Sequence, residues 1–318
     1  MSVWSYDKGL FSLKVLVTGG AGFIGSHLVR ALRGEGHAPV VLDNLSTGLR
    51  EHVPEDVEFM EMDVRDESLV RRLRESMFDA VVHLAGQTVV DASIRDPWND
   101  AHENILGAVN LLEAARKCGI GRVIFSSTAA GYGNVAAENL PVLEGRELVP
   151  MSFYGLSKVT VEHYLELYRE IFGMDYVILR FANVYGEGQG DGGEGGVISI
   201  FAKQVVEGKD ITIFGDGEQT RDFVYAGDIA AGICAALVTK NVNTAYNLST
   251  QTETSLRELV SLLSRVVGRE IIPLYAQERP GDIRRSTLAN GKAFRGLGWK
   301  PVTPLLDGLK RTVDYFAK

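Results

Sequence analysis

The first half of the chain alternates between two hydrophobic periods. Short apolar, β-branched runs alternate with longer stretches whose apolar residues recur every three or four positions. Lys14–Thr18 is a β-branched run ended by glycines, which predicts a buried strand. In Gly22–Arg33 the residues Ile24, Leu28, Val29 and Leu32 share one side, which predicts a helix. Pro39–Asp43 predicts a second strand, Val57–Met60 a weaker third and Ala80–Leu84 a fourth. Glu67–Met77 predicts a helix with its charges outward. Asn99–Lys117 predicts one long amphipathic helix, Arg122–Ser126 a strand, Phe153–Phe172 a second long helix and Tyr176–Arg180 a strand. Strand and helix in repeated alternation imply parallel pairing through crossover helices. The expected fold is therefore α/β, with a doubly wound parallel sheet whose ligands bind outside the carboxyl ends of the strands. Gly186–Gly196 is glycine-rich and acidic, hence a loop. Beyond it the elements are shorter and mixed, which predicts a smaller lobe over the ligand edge.

Composition narrows the class. The 318 residues are 45% apolar and 23% charged, as in an ordinary soluble domain with a buried core. A net charge of −8, with no basic block, argues against nucleic acid as a partner. Cys118 and Cys234 are too few for a disulfide framework or a four-thiolate zinc site, so no metal is expected. No apolar run approaches the length of a membrane span, and Met1–Phe11 lacks a signal-peptide pattern. The expected location is the cytoplasm.

Two patterns carry chemistry. Thr18-Gly19-Gly20-Ala21-Gly22-Phe23-Ile24-Gly25 lies between a predicted strand and a predicted helix. Glycines there let the backbone approach a pyrophosphate, and the helix N-terminus supplies amide donors. Asp43 ends the next strand, where an acid accepts hydrogen bonds from the adenosine ribose. Asn44 and Leu45 follow it rather than an arginine, which favours NAD over NADP. The second pattern is Tyr154-Gly155-Leu156-Ser157-Lys158. A spacing of four puts Tyr154 and Lys158 on one helix face, where an ammonium favours the phenolate. Hydroxyls at Ser126, Ser127 and Thr128 end a strand and face the same crevice. His83 ends an apolar strand and is expected to be a packed core histidine rather than a proton relay.

With these motifs in place, the chain resembles the extended short-chain dehydrogenases that modify nucleotide sugars. It is most similar to the UDP-glucose/UDP-N-acetylglucosamine 4-epimerase group. The resemblance runs from Lys14 to about Tyr315. Besides the two motifs it rests on Leu42-Asp43-Asn44, Asp63-Val64, His83–Gln87, Phe125–Thr128, Arg180–Gly186, Ile213–Asp228 and Arg279–Asp282. It implies a Rossmann-type domain over residues 12–182, to which 220–250 returns, and a nucleotide-sugar lobe from 183–219 and 251–318. It further implies that Gly19, Gly22 and Gly25 cradle the pyrophosphate of NAD, with Phe23 and Ile24 adding backbone contacts. Asp43 and Asn44 would hold the adenosine ribose, and Asp63 and Val64 would flank the adenine. Leu84, Ala85 and Gln87 would line the path to the nicotinamide. Thr128 would bond the 4-hydroxyl of the sugar, Tyr154 would be the base and Lys158 would hold the nicotinamide ribose. Asn183, Val197, Arg221, Arg279, Asp282 and Ser286 would bind the UDP-sugar. A homodimer through helices 99–117 and 153–172 is implied as well.

Departures from the family pattern sharpen the expectation. Ala129 and Ala130 follow Thr128, where the related 4,6-dehydratases carry an Asp-Glu pair. Alanines cannot move the protons of a water elimination, so epimerisation through a transient 4-ketone is expected ahead of dehydration. A regulator that kept the fold and lost catalysis is the third reading, disfavoured because Tyr154 and Lys158 are both present. Gly131 is expected to open space near the sugar. Ser286 stands where epimerases restricted to plain hexoses carry a bulky tyrosine, which leaves room for an N-acetyl group. Glu187 and Glu194 are expected to be solvated.

Overall fold

The computed structural model describes residues 12–190, 196–278 and 283–318. Six strands follow the predicted order: β1 (Lys14–Thr18), β2 (Ala38–Asp43), β3 (Glu58–Glu61), β4 (Ala80–His83), β5 (Arg122–Thr128) and β6 (Asp175–Phe181). A later strand, Thr244–Leu248, pairs in parallel with β6 and completes a seven-stranded sheet. From that strand the order is β6, β5, β4, β1, β2, β3, parallel throughout. The order reverses between β1 and β4, so a crevice opens at their carboxyl ends.

The apolar runs of β1, β4 and β6 are buried because helices cover both faces of the sheet. On one face, Leu28, Val29 and Leu32 of helix Phe23–Gly34 pack with Val15, Val17, Ile229 and Ile233. On the other, Leu111, Leu112 and Ala115 pack with Leu16, Val81, Val161 and Leu165. A third core, centred on Phe201, Ile213, Leu259, Leu263 and Leu309, lies in the second half of the chain.

Three expectations about local structure change. The single helix over 99–117 is broken. Asp96 caps a helix Pro97–Ala101 by accepting from the Asn99 amide at 3.0 Å. A π-helical turn, His102–Leu106, follows, and then the helix Gly107–Lys117. The wider turn re-aims the side chains on either side of it, and it leaves Asp100 and Asn104 buried. The helix predicted over Glu67–Met77 contracts to Leu69–Arg74. Gly131 does not open toward a ligand. A Cβ there would lie 3.0 Å from Val159 Cγ2, so the glycine lets its turn press against helix Phe153–Phe172.

Candidate active site

The crevice between β1 and β4 is the mouth of a long cleft. Gly19 turns sharply there with φ +70°, and a Cβ on it would sit 2.7 Å from the Ala85 amide nitrogen. A Cβ on Gly25 would sit 2.1 Å from the Gly19 carbonyl oxygen. Only glycine fits either position, and the loop closes tightly on helix Phe23–Gly34. Gly22 caps that helix with no side-chain acceptor. The first-turn amides of Phe23, Ile24 and Gly25 are therefore available at the cleft wall. A glycine-walled loop with open helix amides fits the pyrophosphate of a dinucleotide.

At one end of the cleft Asp43 accepts from the amides of Ala21 at 3.0 Å and Leu45 at 2.8 Å. The acid thereby locks the glycine loop to the end of β2. Asn44 donates to Asp63 at 2.8 Å, and Arg65 grips the same carboxylate at 2.7 Å. Hydrogen bonds from Arg65 hold Asp63 well below the usual carboxylate range, although burial opposes them. Val64 and Arg65 join the lining beside Asp63. Arg65 escaped the sequence reading because nothing local marks an arginine that folds back two residues.

At the other end the cleft is lined by Leu84, Ala85, Ser126, Thr128, Tyr154 and Lys158. Helix Phe153–Phe172 starts at Ser152, whose hydroxyl accepts from the Gly155 amide at 3.1 Å. That cap places Tyr154 in the first turn and Lys158 one turn on, both toward the cleft. Burial raises the Tyr154 phenol above its ordinary value. A hydrogen bond with Thr128 opposes the rise, and the Asp100 carboxylate adds to it. Burial lowers the Lys158 ammonium to about 8, with Asp100 opposing. Its Nζ lies 5.1 Å from the centre of the Phe125 ring. His83 is a buried neutral imidazole, 2.8 Å from Thr18 Oγ1, and burial together with Lys158 pushes it down to about 3.

Behind Thr128 lies a buried ion pair. Arg180 on β6 meets Glu162 at 2.5 Å, and Ser127 donates to Glu162 at 2.5 Å. Glu162 follows Tyr154 and Lys158 at the same helical spacing, so the pair ties the reactive face of the helix to β5 and β6.

The remaining predicted residues divide. Gln87 turns its amide onto Asp100 at 2.8 Å and is not in the cleft lining. Asn183 and Val197 line an adjoining pocket that shares Thr88, Ala182, Val184 and Gln189 with the cleft. Arg221 donates to the carbonyls of Thr220 at 2.8 Å and Ile283 at 2.6 Å. Ser286 is half-buried and lines neither space. Arg279, Asp282 and Glu194 lie outside the described residues. Glu187 is not simply solvated: its carboxylate accepts from Tyr225 at 2.8 Å.

The sequence profile of the NAD dependent epimerase/dehydratase family matches residues 15–249. The chain belongs to that family. Within it, the chain is 41% identical to UDP-glucose 4-epimerase of Thermotoga maritima, solved with UDP-glucose, at a TM-score of 0.92. That match covers 96% of this chain and 98% of the other. UDP-glucose 4-epimerase of Thermus thermophilus, solved with NAD, is 40% identical at a TM-score of 0.88, covering 96% and 99%. A UDP-N-acetylglucosamine 4-epimerase from Methanobrevibacter ruminantium, solved with UDP-N-acetylmuramic acid, is 33% identical at a TM-score of 0.91, covering 96% and 99%. The chain is thus an NAD-dependent enzyme of the epimerase/dehydratase class with a Rossmann-type sheet. Among the described residues no helix is long and apolar enough to cross a membrane.

Proposed function

We propose that the protein inverts carbon 4 of a UDP-sugar, UDP-N-acetylglucosamine or UDP-glucose. The observation that carries this reading is one cleft lined both by the glycine loop and by Thr128, Tyr154 and Lys158. The similarity to named 4-epimerases of both sugars supports it. Gly19, Gly22, Gly25, Phe23 and Ile24 hold the pyrophosphate of NAD, and Asp43, Asn44, Asp63 and Val64 its adenosine. Bound NAD supplies the hydride exchange at carbon 4 and a cationic ring in the cleft. Tyr154 takes the proton of the 4-hydroxyl and later returns one, with Thr128 bonded to its phenol. Burial alone would keep that phenol protonated. The Lys158 ammonium one turn away favours the phenolate instead. Ala129 and Ala130 offer no acid or base for removing water, so the ketone is reduced rather than dehydrated.

Asn183 and Val197 in the adjoining pocket take the substrate, with Arg221 and Arg279 on its diphosphate and Asp282 on the uridine ribose. The active form is a homodimer. Phe153, Leu156, Tyr164, Leu167 and Ile171 form an exposed apolar stripe along helix Phe153–Phe172, beside exposed Ile94, Trp98 and Leu106.

The test is mass spectrometry and proton NMR of the product from each sugar nucleotide incubated with the purified protein and NAD. Epimerisation gives an isomer of unchanged mass with the proton at carbon 4 in the other orientation. Loss of one water, or no turnover of either sugar, overturns the reading.

A further inference from the structure

Asp100 is a carboxylate with 1% exposure that the reaction just described does not use. Its Oδ1 accepts from Gln87 Nε2 at 2.8 Å and from Asn104 Nδ2 at 3.1 Å. The same Asn104 amide donates to the Gln87 carbonyl at 3.0 Å and lies 3.2 Å from the hydroxyl of Ser157, the neighbour of Lys158. Asn104 Oδ1 is buried without a hydrogen-bond partner and lies against Gly86. A Cβ on Gly86 would come within 2.4 Å of that oxygen and 3.8 Å of Lys158 Nζ. Asp100 and Asn104 are buried, and through Gly86 they reach Lys158 on the cleft wall. Burying a carboxylate and an ammonium separately is costly, and each relieves the other.

We propose that Asp100, clamped by Gln87 and Asn104, is the counter-ion that keeps Lys158 charged beside Tyr154. The inference rests on the proposed pairing of Lys158 with Tyr154 in catalysis. Among the described residues, few ionisable groups face Lys158. Asp100 comes from helix Pro97–Ala101, His83 from β4 and Tyr154 from its own helix. Glu162, one turn further, is spent on Arg180. His83 is neutral across the working range. Asp100 is thus the anion that offsets the burial of Lys158. The π-helical turn that follows Asp100 carries Asn104 to the same carboxylate.

The role is one of positioning and charge, and the test reads charge directly. Protein labelled with 13C at lysine Cε is titrated by NMR, with Lys158 assigned through Lys158→Arg. The Lys158 signal is expected to titrate near 8 in the wild type, as burial and Asp100 together dictate. In Asp100→Asn it is expected about one pH unit lower. In Asp100→Glu, which keeps the charge, it stays with the wild type. Asp100→Ser repeats the neutral variant if the amide does not pack. An unmoved midpoint in both neutral variants overturns the inference, as does an equal shift in Asp100→Glu. Where turnover is present, both limbs of its pH profile should move down in Asp100→Asn, because loss of an anion lowers the pKa of Lys158 and Tyr154 alike. A purely structural defect lowers the rate at every pH and leaves the limbs in place. Absence of epimerase turnover in the wild type would count against the proposed function and leave the titration result standing.

Discussion

Tyr154 shows how position sets chemistry at the scale of a residue. Its phenol is raised by burial, opposed by Thr128 and raised again by Asp100. Without added positive charge it would remain a weak base at neutral pH. The proposed reaction therefore depends on one oxygen atom and on one ammonium a turn away. Tyr154→Phe removes the oxygen and keeps the ring. We expect turnover to fall by about a thousandfold while NAD stays bound. Steady-state kinetics together with the cofactor content of the purified protein check both halves. Activity near the wild-type level would remove Tyr154 from the mechanism. The motif made this residue legible in the sequence. Asp100 and Arg65 were not legible, because each acts through partners distant in the chain or folded back upon it.

At the scale of an element, helix Phe153–Phe172 is set by its cap at one end and by Glu162 in its middle. Ser152 fixes where the helix begins, and so which residues form its first turn. The Arg180–Glu162 pair then anchors it to β6, with Ser127 as a third partner. Both side chains are almost fully buried, at 8% and 4% exposure. Replacing one partner strands the other charge in the core. Glu162→Gln should therefore cost about 3–5 kcal/mol of stability. Urea unfolding measures this, and an unchanged midpoint would show that the pair contributes nothing net. The broken helix over 97–117 has a similar lesson. Its apolar spacing is helical throughout, so the sequence pattern predicts one rod. The polar bonds of Asp100 and Asn104 with Gln87 and Ser157 accompany the π-helical turn, and those partners lie in other segments.

The whole molecule leaves an apolar face uncovered. Ile171 is 65% exposed and Trp98 73%, on neighbouring helices of the same side. A stripe of that length in water is costly, and pairing two copies would bury four helices together. Leu167→Glu with Ile171→Glu places charges in the stripe without touching the cleft. The doubly substituted protein is expected to sediment at the mass of one chain and the wild type at twice that. Equal sedimentation of the two as single chains would overturn the dimer.

The sequence by itself determined the strand–helix alternation, the glycine loop, the acid that ends β2 and the Tyr154–Lys158 spacing. Each of these is a local signal, carried by residues within a few positions of one another. Backbone geometry requires glycine at fixed places, and helical periodicity fixes which side chains share a face. The tertiary structure decided what depends on distant partners. It turned Gln87 away from the cleft, pressed Gly131 against Val159 and buried Asp100 among Gln87 and Asn104. A buried carboxylate looks like a surface one in the sequence. Its surroundings are set by the crossing of helices and strands, and no local pattern records them.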